Sequence, residues 1–237
     1  MLLVLSFCGW GCHMPQEATP RQEAEMNASN ENKAEGWRYL ALGDSYTIGQ
    51  GIPEQGRWPN QLVDTLRMIM PEIAFEDAEI LATTGWTTAE LMQAFDSSEL
   101  HRSDWDMVSL LIGVNDQFDG ISLEQYRIDL EAMLERAIAA TGQRSDRVFV
   151  VSIPNYAHTP YGWNQQQAIS DALIPFNESC REISQMLGAH YLNITPLSEE
   201  WPEKQDWTAS DGLHPSAKQY QAWVRAMVPK WQEALTR

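Results

Sequence analysis

Basic residues are scarce in this chain. It holds 16 Lys and Arg against 33 Asp and Glu, a formal charge of −17 over 237 residues, and no basic cluster interrupts that balance. Nucleic acid and anionic membrane surfaces attract the opposite sign, so the composition argues against both as partners. Cysteine is nearly missing as well: Cys8 and Cys12 stand close to the start, and Cys180 is alone in the remainder. Without the first two thiols no internal disulfide can form, and Cys180 falls in a helical pattern that predicts a buried, inert side chain. The opening apolar run, Met1 to Phe7, is too short to span a bilayer.

That run is followed by Cys8-Gly9-Trp10-Gly11-Cys12. A signal peptide would fit, although no Lys or Arg precedes the apolar stretch, so either the true start lies upstream or the signal is atypical. Gly11-Cys12 resembles the cleavage and lipidation box of bacterial lipoproteins, with Gly9 standing where such boxes carry Leu. The resemblance implies a lipid anchor on Cys12 and export to the periplasm or outer membrane of a bacterium. Plain secretion and a cytoplasmic apolar tail are the other readings. From His13 to Gly36 the chain is polar and acidic and has no Val, Ile, Leu or aromatic residue. It therefore reads as a disordered tether. The expected organisation is an N-terminal segment over 1–12, a tether over 13–36 and one globular domain over 37–237, touching a membrane only through the anchor. Oligomeric state is left open.

After Trp37, apolar runs of strand length alternate with amphipathic stretches, the pattern of a doubly wound α/β domain with a parallel sheet between two helical layers. Five strands are expected near Arg38–Leu42, Ala74–Thr83, Asp106–Ile112, Arg147–Ile153 and His190–Ile194. Helices are expected over Trp58–Met70, with Pro59 in its first turn, and over Ser122–Thr141, stopped by Gly142. A last helix is expected to start at Pro215 and to bury Tyr220, Trp223, Val224, Met227 and Trp231 at helical spacing.

Three short segments carry the chemistry: Gly43-Asp44-Ser45, Gly113-Val114-Asn115-Asp116 and Asp211-Gly212-Leu213-His214. The first two follow directly on apolar runs, which places them where parallel strands deliver loops to one rim of a sheet. A serine is a poor nucleophile until a neighbouring base takes its proton. Of the five histidines, only His214 has a carboxylate three residues earlier, across a glycine and before Pro215. Asp211 can therefore fold back on the imidazole and fix its tautomer. A simple turn with a helix cap is the plainer reading of Asp211-Gly212. No Gly-x-Ser-x-Gly occurs, so a nucleophile elbow is not the alternative explanation.

On these motifs, in this order and with Pro215 closing the last, the chain over Trp37 to Arg237 resembles the SGNH, or GDSL, hydrolases, a family of esterases and lipases. Gly85, in Thr83-Thr84-Gly85-Trp86-Thr87, falls where that family has its second-block glycine. An acyl-transfer site needs donors aimed at the developing oxyanion. The N–H groups of Ser45 and Gly85 and the amide of Asn115 would converge if the first three strands are neighbours, as in the flavodoxin-like order 2-1-3-4-5. Gly85 is expected to permit close backbone approach; a mere loop glycine, and an Asx turn at Asn115, are the alternatives.

Asp44, Gly113 and Asp116 are expected to support these loops, the carboxylates by accepting backbone N–H groups. Paired-carboxylate glycosidase chemistry would leave Ser45, Asn115 and His214 unexplained. No third metal ligand joins His214 and Asp211 at a recognisable spacing, so no metal is expected, and a serine esterase working through an acyl-enzyme requires no organic cofactor. The loop after the fourth strand carries Tyr156, His158, Tyr161 and Trp163 and either walls an acyl or aryl pocket or packs its own aromatics. Trp58, Trp86 and Trp207 are further candidates for the mouth. The resemblance implies hydrolysis of a carboxylic ester or lysophospholipid, or deacetylation of a glycan. An acyltransferase on the same fold and a non-catalytic tethered binding protein are the competing readings.

Overall fold

The computed structural model describes residues 36–102 and 104–236. The expected signal or lipoprotein segment with Cys12, and the tether up to residue 35, lie outside the described residues.

Five short strands, β1 (Tyr39–Gly43), β2 (Glu79–Ala82), β3 (Met107–Leu111), β4 (Val148–Val151) and β5 (His190–Leu192), pair in parallel in the order β2-β1-β3-β4-β5. This is the order expected from the sequence. Every residue of β1, β3 and β4 is buried, as it must be in a sheet covered on both faces. Right-handed crossovers put the helix leading into β2 on one face and the helices between β3, β4 and β5 on the other. On the first face Trp58–Ile69 packs against Ala217–Leu235. Trp231 of the latter stacks on Phe149 at 3.7 Å and meets Tyr39 edge-on at 5.3 Å. On the second, Leu123–Ala140 lies against Thr88–Ser97 and Gln166–Met186. There Tyr126 packs on Phe176 at 4.7 Å and sits 2.9 Å from the Cys180 sulfur. Burial pushes the Cys180 thiol up to about 12, with the Tyr126 contact pulling the other way. It stays a neutral thiol and is chemically quiet.

Most expected elements end a residue or more inside the pattern, and two show a physical reason. The run Ala74–Thr83 pairs as a strand only over Glu79–Ala82, preceded by a single bridge between Trp37 and Phe75. The Phe75 carbonyl is taken instead by the Arg67 guanidinium, at 2.9 Å and 3.2 Å, and Arg67 also holds Asp77 at 2.7 Å. The last helix begins at Ala217 rather than Pro215. Ser216 caps it, accepting from the Gln219 N–H at 3.2 Å, while Pro215 bridges back to Thr208. A serine cap satisfies a helix-end donor, which proline at the preceding position cannot do.

Candidate active site

The site is assembled at the carboxyl ends of β1, β2 and β3. Asp44, immediately after β1, caps the short helix Ser45–Ile48 and accepts from the Tyr46 N–H at 2.9 Å. Ser45 is thus the first helical residue, and among the described residues its own N–H has no acceptor. After β3, Gly113 turns the chain with φ 118°, in the left-handed region, and caps Val114–Phe118. A Cβ there would also lie 2.6 Å from the Tyr126 hydroxyl, so angle and space both demand glycine. Gly113→Ala should lower the unfolding free energy by about 3 kcal/mol, read from urea denaturation.

Asn115 donates through Nδ2 to the Trp86 carbonyl at 2.8 Å. An amide nitrogen has two hydrogens, so one remains for a ligand. Asp116 accepts from both the N–H and the hydroxyl of Thr88, each at 3.0 Å, which ties the β3 loop to the start of Thr88–Ser97. Gly85 lies in the loop between β2 and that helix, with φ 87°. A Cβ on it would meet nothing within 4 Å, so among the described residues it is the backbone angle that favours glycine. Its N–H is also without an acceptor among the described residues.

Asp211 folds back on its own loop. One carboxylate oxygen accepts from the Leu213 and His214 N–H groups at 2.9 Å and 3.0 Å, and the other sits 2.7 Å from His214 Nδ1. Burial pushes the carboxyl up, but the Leu213 N–H, the imidazole and the His214 N–H together outweigh it and hold Asp211 below its ordinary value. It is therefore ionised at neutral pH and fixes the proton of His214 on Nδ1, leaving Nε2 as the acceptor. The Tyr46 ring lies 5.5 Å from the imidazole.

Ser45, Gly85, Asn115 and His214 line one cavity of 180 Å³, walled by Tyr46, Phe118, Tyr156 and Tyr161. Ser45 and His214 are both buried. Of the aromatic loop, Tyr156 and Tyr161 reach this cavity, whereas His158 and Trp163 do not: His158 Nδ1 pairs with Gln166 at 3.2 Å, and Trp163 packs edge-on against Trp201 at 4.9 Å. Trp58 and Trp207 are not at the mouth either. Trp58 is fully buried in its helix, and Trp207 is buried with its indole N–H on the Leu197 carbonyl. Tyr46, Phe118 and Leu213 were not singled out from the sequence, though each lies within three residues of a motif residue. Among the described residues no three His, Cys, Asp or Glu side chains gather as a metal-ligating group.

Next to Ser45 in the chain, burial pushes the Asp44 carboxyl up to about 7, opposed by the Tyr46 N–H and reinforced by the Asp116 charge. Its second oxygen is buried without a partner among the described residues. With the folded value above the unfolded one, the unfolded chain loses this proton first, so Asp44 costs stability as pH rises from about 4 to about 7. The melting temperature of Asp44→Asn should climb relative to wild type across that window; a constant difference would contradict the assignment.

A parallel sheet that brings a serine, an amide and a carboxylate-held histidine to one cavity at its carboxyl edge has the layout of a serine hydrolase. The chain belongs to the GDSL-like lipase/acylhydrolase family, whose model matches residues 41–222, and it is a GDSL-type ester hydrolase. It is 25% identical over 194 residues to an arylesterase of Vibrio mimicus, spanning 81% of this chain and 86% of that protein. Its fold matches a psychrotrophic esterase of Pseudoalteromonas sp. with a TM-score of 0.62 and 20% identity, covering 84% of this chain and 99% of that one. It also matches an acetylxylan esterase of Geobacillus stearothermophilus with a TM-score of 0.62 and 16% identity, covering 82% and 94%.

Proposed function

We propose that the protein hydrolyses short-chain carboxylic esters through an acyl-enzyme on Ser45. The observation that carries this reading is that Ser45 and His214 line the same cavity while Asp211 holds His214 Nδ1 at 2.7 Å. Ser45 Oγ attacks the ester carbonyl as His214 Nε2 takes its proton, and Asp211 stabilises the imidazolium. The carbonyl oxygen, now negative, is met by the N–H groups of Ser45 and Gly85 and the remaining Asn115 amide hydrogen. The carbon–oxygen bond to the alcohol then breaks, and His214 returns the proton to the leaving oxygen. Water repeats the sequence, with the same base taking its proton, and Ser45 is released.

The 180 Å³ of the cavity at Ser45 falls below the about 300 to 1,000 Å³ that encloses a whole drug-sized ligand, which supports a small acyl group over a long chain. The test is stopped-flow release of p-nitrophenol from acetate, butyrate, octanoate and palmitate esters by the full chain. A burst followed by slower turnover, with kcat/KM falling from the short esters to palmitate, is the expected result. Equal rates on palmitate would overturn the short-chain reading, and no turnover on any ester would overturn the mechanism. Asn115→Ala should lower kcat by about a hundred- to a thousand-fold with little change in KM, because its donor acts on the oxyanion.

A further inference from the structure

Tyr46, the residue after the nucleophile, lines the cavity with Ser45 and His214, and its ring lies 5.5 Å from the imidazole. Resting on the acyl-enzyme reading above, we infer that the Tyr46 hydroxyl holds the water that hydrolyses the acyl-enzyme, orienting it between His214 Nε2 and the acyl carbon.

Position and freedom single this hydroxyl out. Tyr46 is 3% exposed, and no group among the described residues bonds its hydroxyl, yet that oxygen is not among the side-chain atoms sealed from solvent without a partner. The surface it keeps is the wall of the cavity. A hydroxyl so nearly buried costs free energy unless water or a ligand meets it. The residue is also pinned in place: its N–H donates to Asp44 at 2.9 Å, and its carbonyl accepts from the Tyr220 hydroxyl at 2.8 Å. Other hydroxyls of the wall are committed or loose. Thr84 pairs with Gln50, Tyr156 donates to Gln117 at 2.9 Å, and Tyr161 is 55% exposed.

The chemistry assigns the water to deacylation. Burial pushes the Tyr46 phenol well above its ordinary value, and Asp44, Tyr156 and Asp211 push it the same way. It stays neutral and leaves proton transfer to His214. What a neutral hydroxyl supplies is an acceptor for one water hydrogen. With the acyl group on Ser45, the water gives one hydrogen to His214 Nε2 and rests the other on the Tyr46 oxygen, which turns a lone pair of the water toward the acyl carbon. The water oxygen bonds to that carbon as its proton passes to Nε2, and the carbonyl pair moves onto the oxyanion. The pair then returns, the bond to Ser45 Oγ breaks, and Oγ takes the proton back from Nε2. Tyr46 gives up no proton and gains none. The 180 Å³ of the cavity leaves room beside a small acyl group for a water, whose share of liquid volume is about 30 Å³. Attack by Ser45 does not use this water, and p-nitrophenolate leaves without being protonated, so with that ester the hydroxyl acts on deacylation alone.

The experiment is stopped-flow turnover of p-nitrophenyl acetate by the full chain and by Tyr46→Phe, which keeps the ring beside His214 and removes only the oxygen. The burst rate constant reads acylation, and the steady phase reads deacylation. In Tyr46→Phe the burst rate constant and kcat/KM should be unchanged, while kcat and KM fall together by about tenfold, the effect of one good neutral hydrogen bond. If both phases slow alike, Tyr46 serves only to pack the histidine and the inference falls; an unchanged steady phase overturns it as well. In either case a wild-type burst leaves the acyl-enzyme standing. A wild type with no burst and no acetyl group on Ser45 takes down the acyl-enzyme and the inference together.

Discussion

Replacing Ser45 by alanine lowers kcat on p-nitrophenyl acetate by about ten-thousand- to a million-fold; His214→Ala does the same, and the double variant is no slower than the slower single one. The two residues act as one unit, so removing either removes the covalent route. What is left is the rate at which bound ester reacts with water beside the oxyanion donors, which neither substitution removes. Both residues are buried and line the cavity, so each variant should be checked for an unchanged melting profile before its kinetics are read. A residual rate within a hundredfold of wild type in either variant would show that another group carries the attack.

Asp211→Asn is expected to cost about a thousandfold in kcat. The substitution preserves the acceptor for the Leu213 and His214 N–H groups but presents an amide hydrogen to Nδ1, where the carboxylate had accepted one. The imidazole then carries its proton on Nε2, the nitrogen that must take the Ser45 proton. In a fully buried triad this reversal costs about ten-thousand-fold. Here the Asp211 side chain is 35% exposed, so water shares its role and the loss is smaller. The same carboxyl gives a pH signature. Held below its ordinary value in the fold, Asp211 contributes stability that is present above its unfolded value and lost as pH falls through the folded one. The Asn variant should therefore lack that part of the acid-side loss of stability.

The three motifs were legible because the runs before Gly43 and Gly113 are strands that stay buried on both faces, and a parallel sheet sends such strands' loops to a common rim. Asp211 and His214 were legible because three residues are enough to close a local hydrogen-bonded loop. Side-chain direction in irregular segments was not. Tyr156 and Tyr161 face the cavity while His158 and Trp163 turn to Gln166 and Trp201, a choice made by tertiary partners rather than by any period in the loop. The strand expected from Ala74 was cut short by a guanidinium eight residues back along the chain, a contact no alternation pattern carries. Phe118 shows the opposite failure: it stands one helical turn past Asn115 and looks like an ordinary surface residue until it is seen to wall the cavity at Ser45.

The most direct test of the central claim is the mass of the protein itself. The full chain is mixed with excess p-nitrophenyl acetate, quenched in acid within the burst, and digested for peptide mapping. One acetyl group per chain, on the peptide containing Ser45 and missing from Ser45→Ala, is the predicted result. A chain that turns over the ester while remaining unmodified, or that carries the acetyl group on another residue, would contradict it.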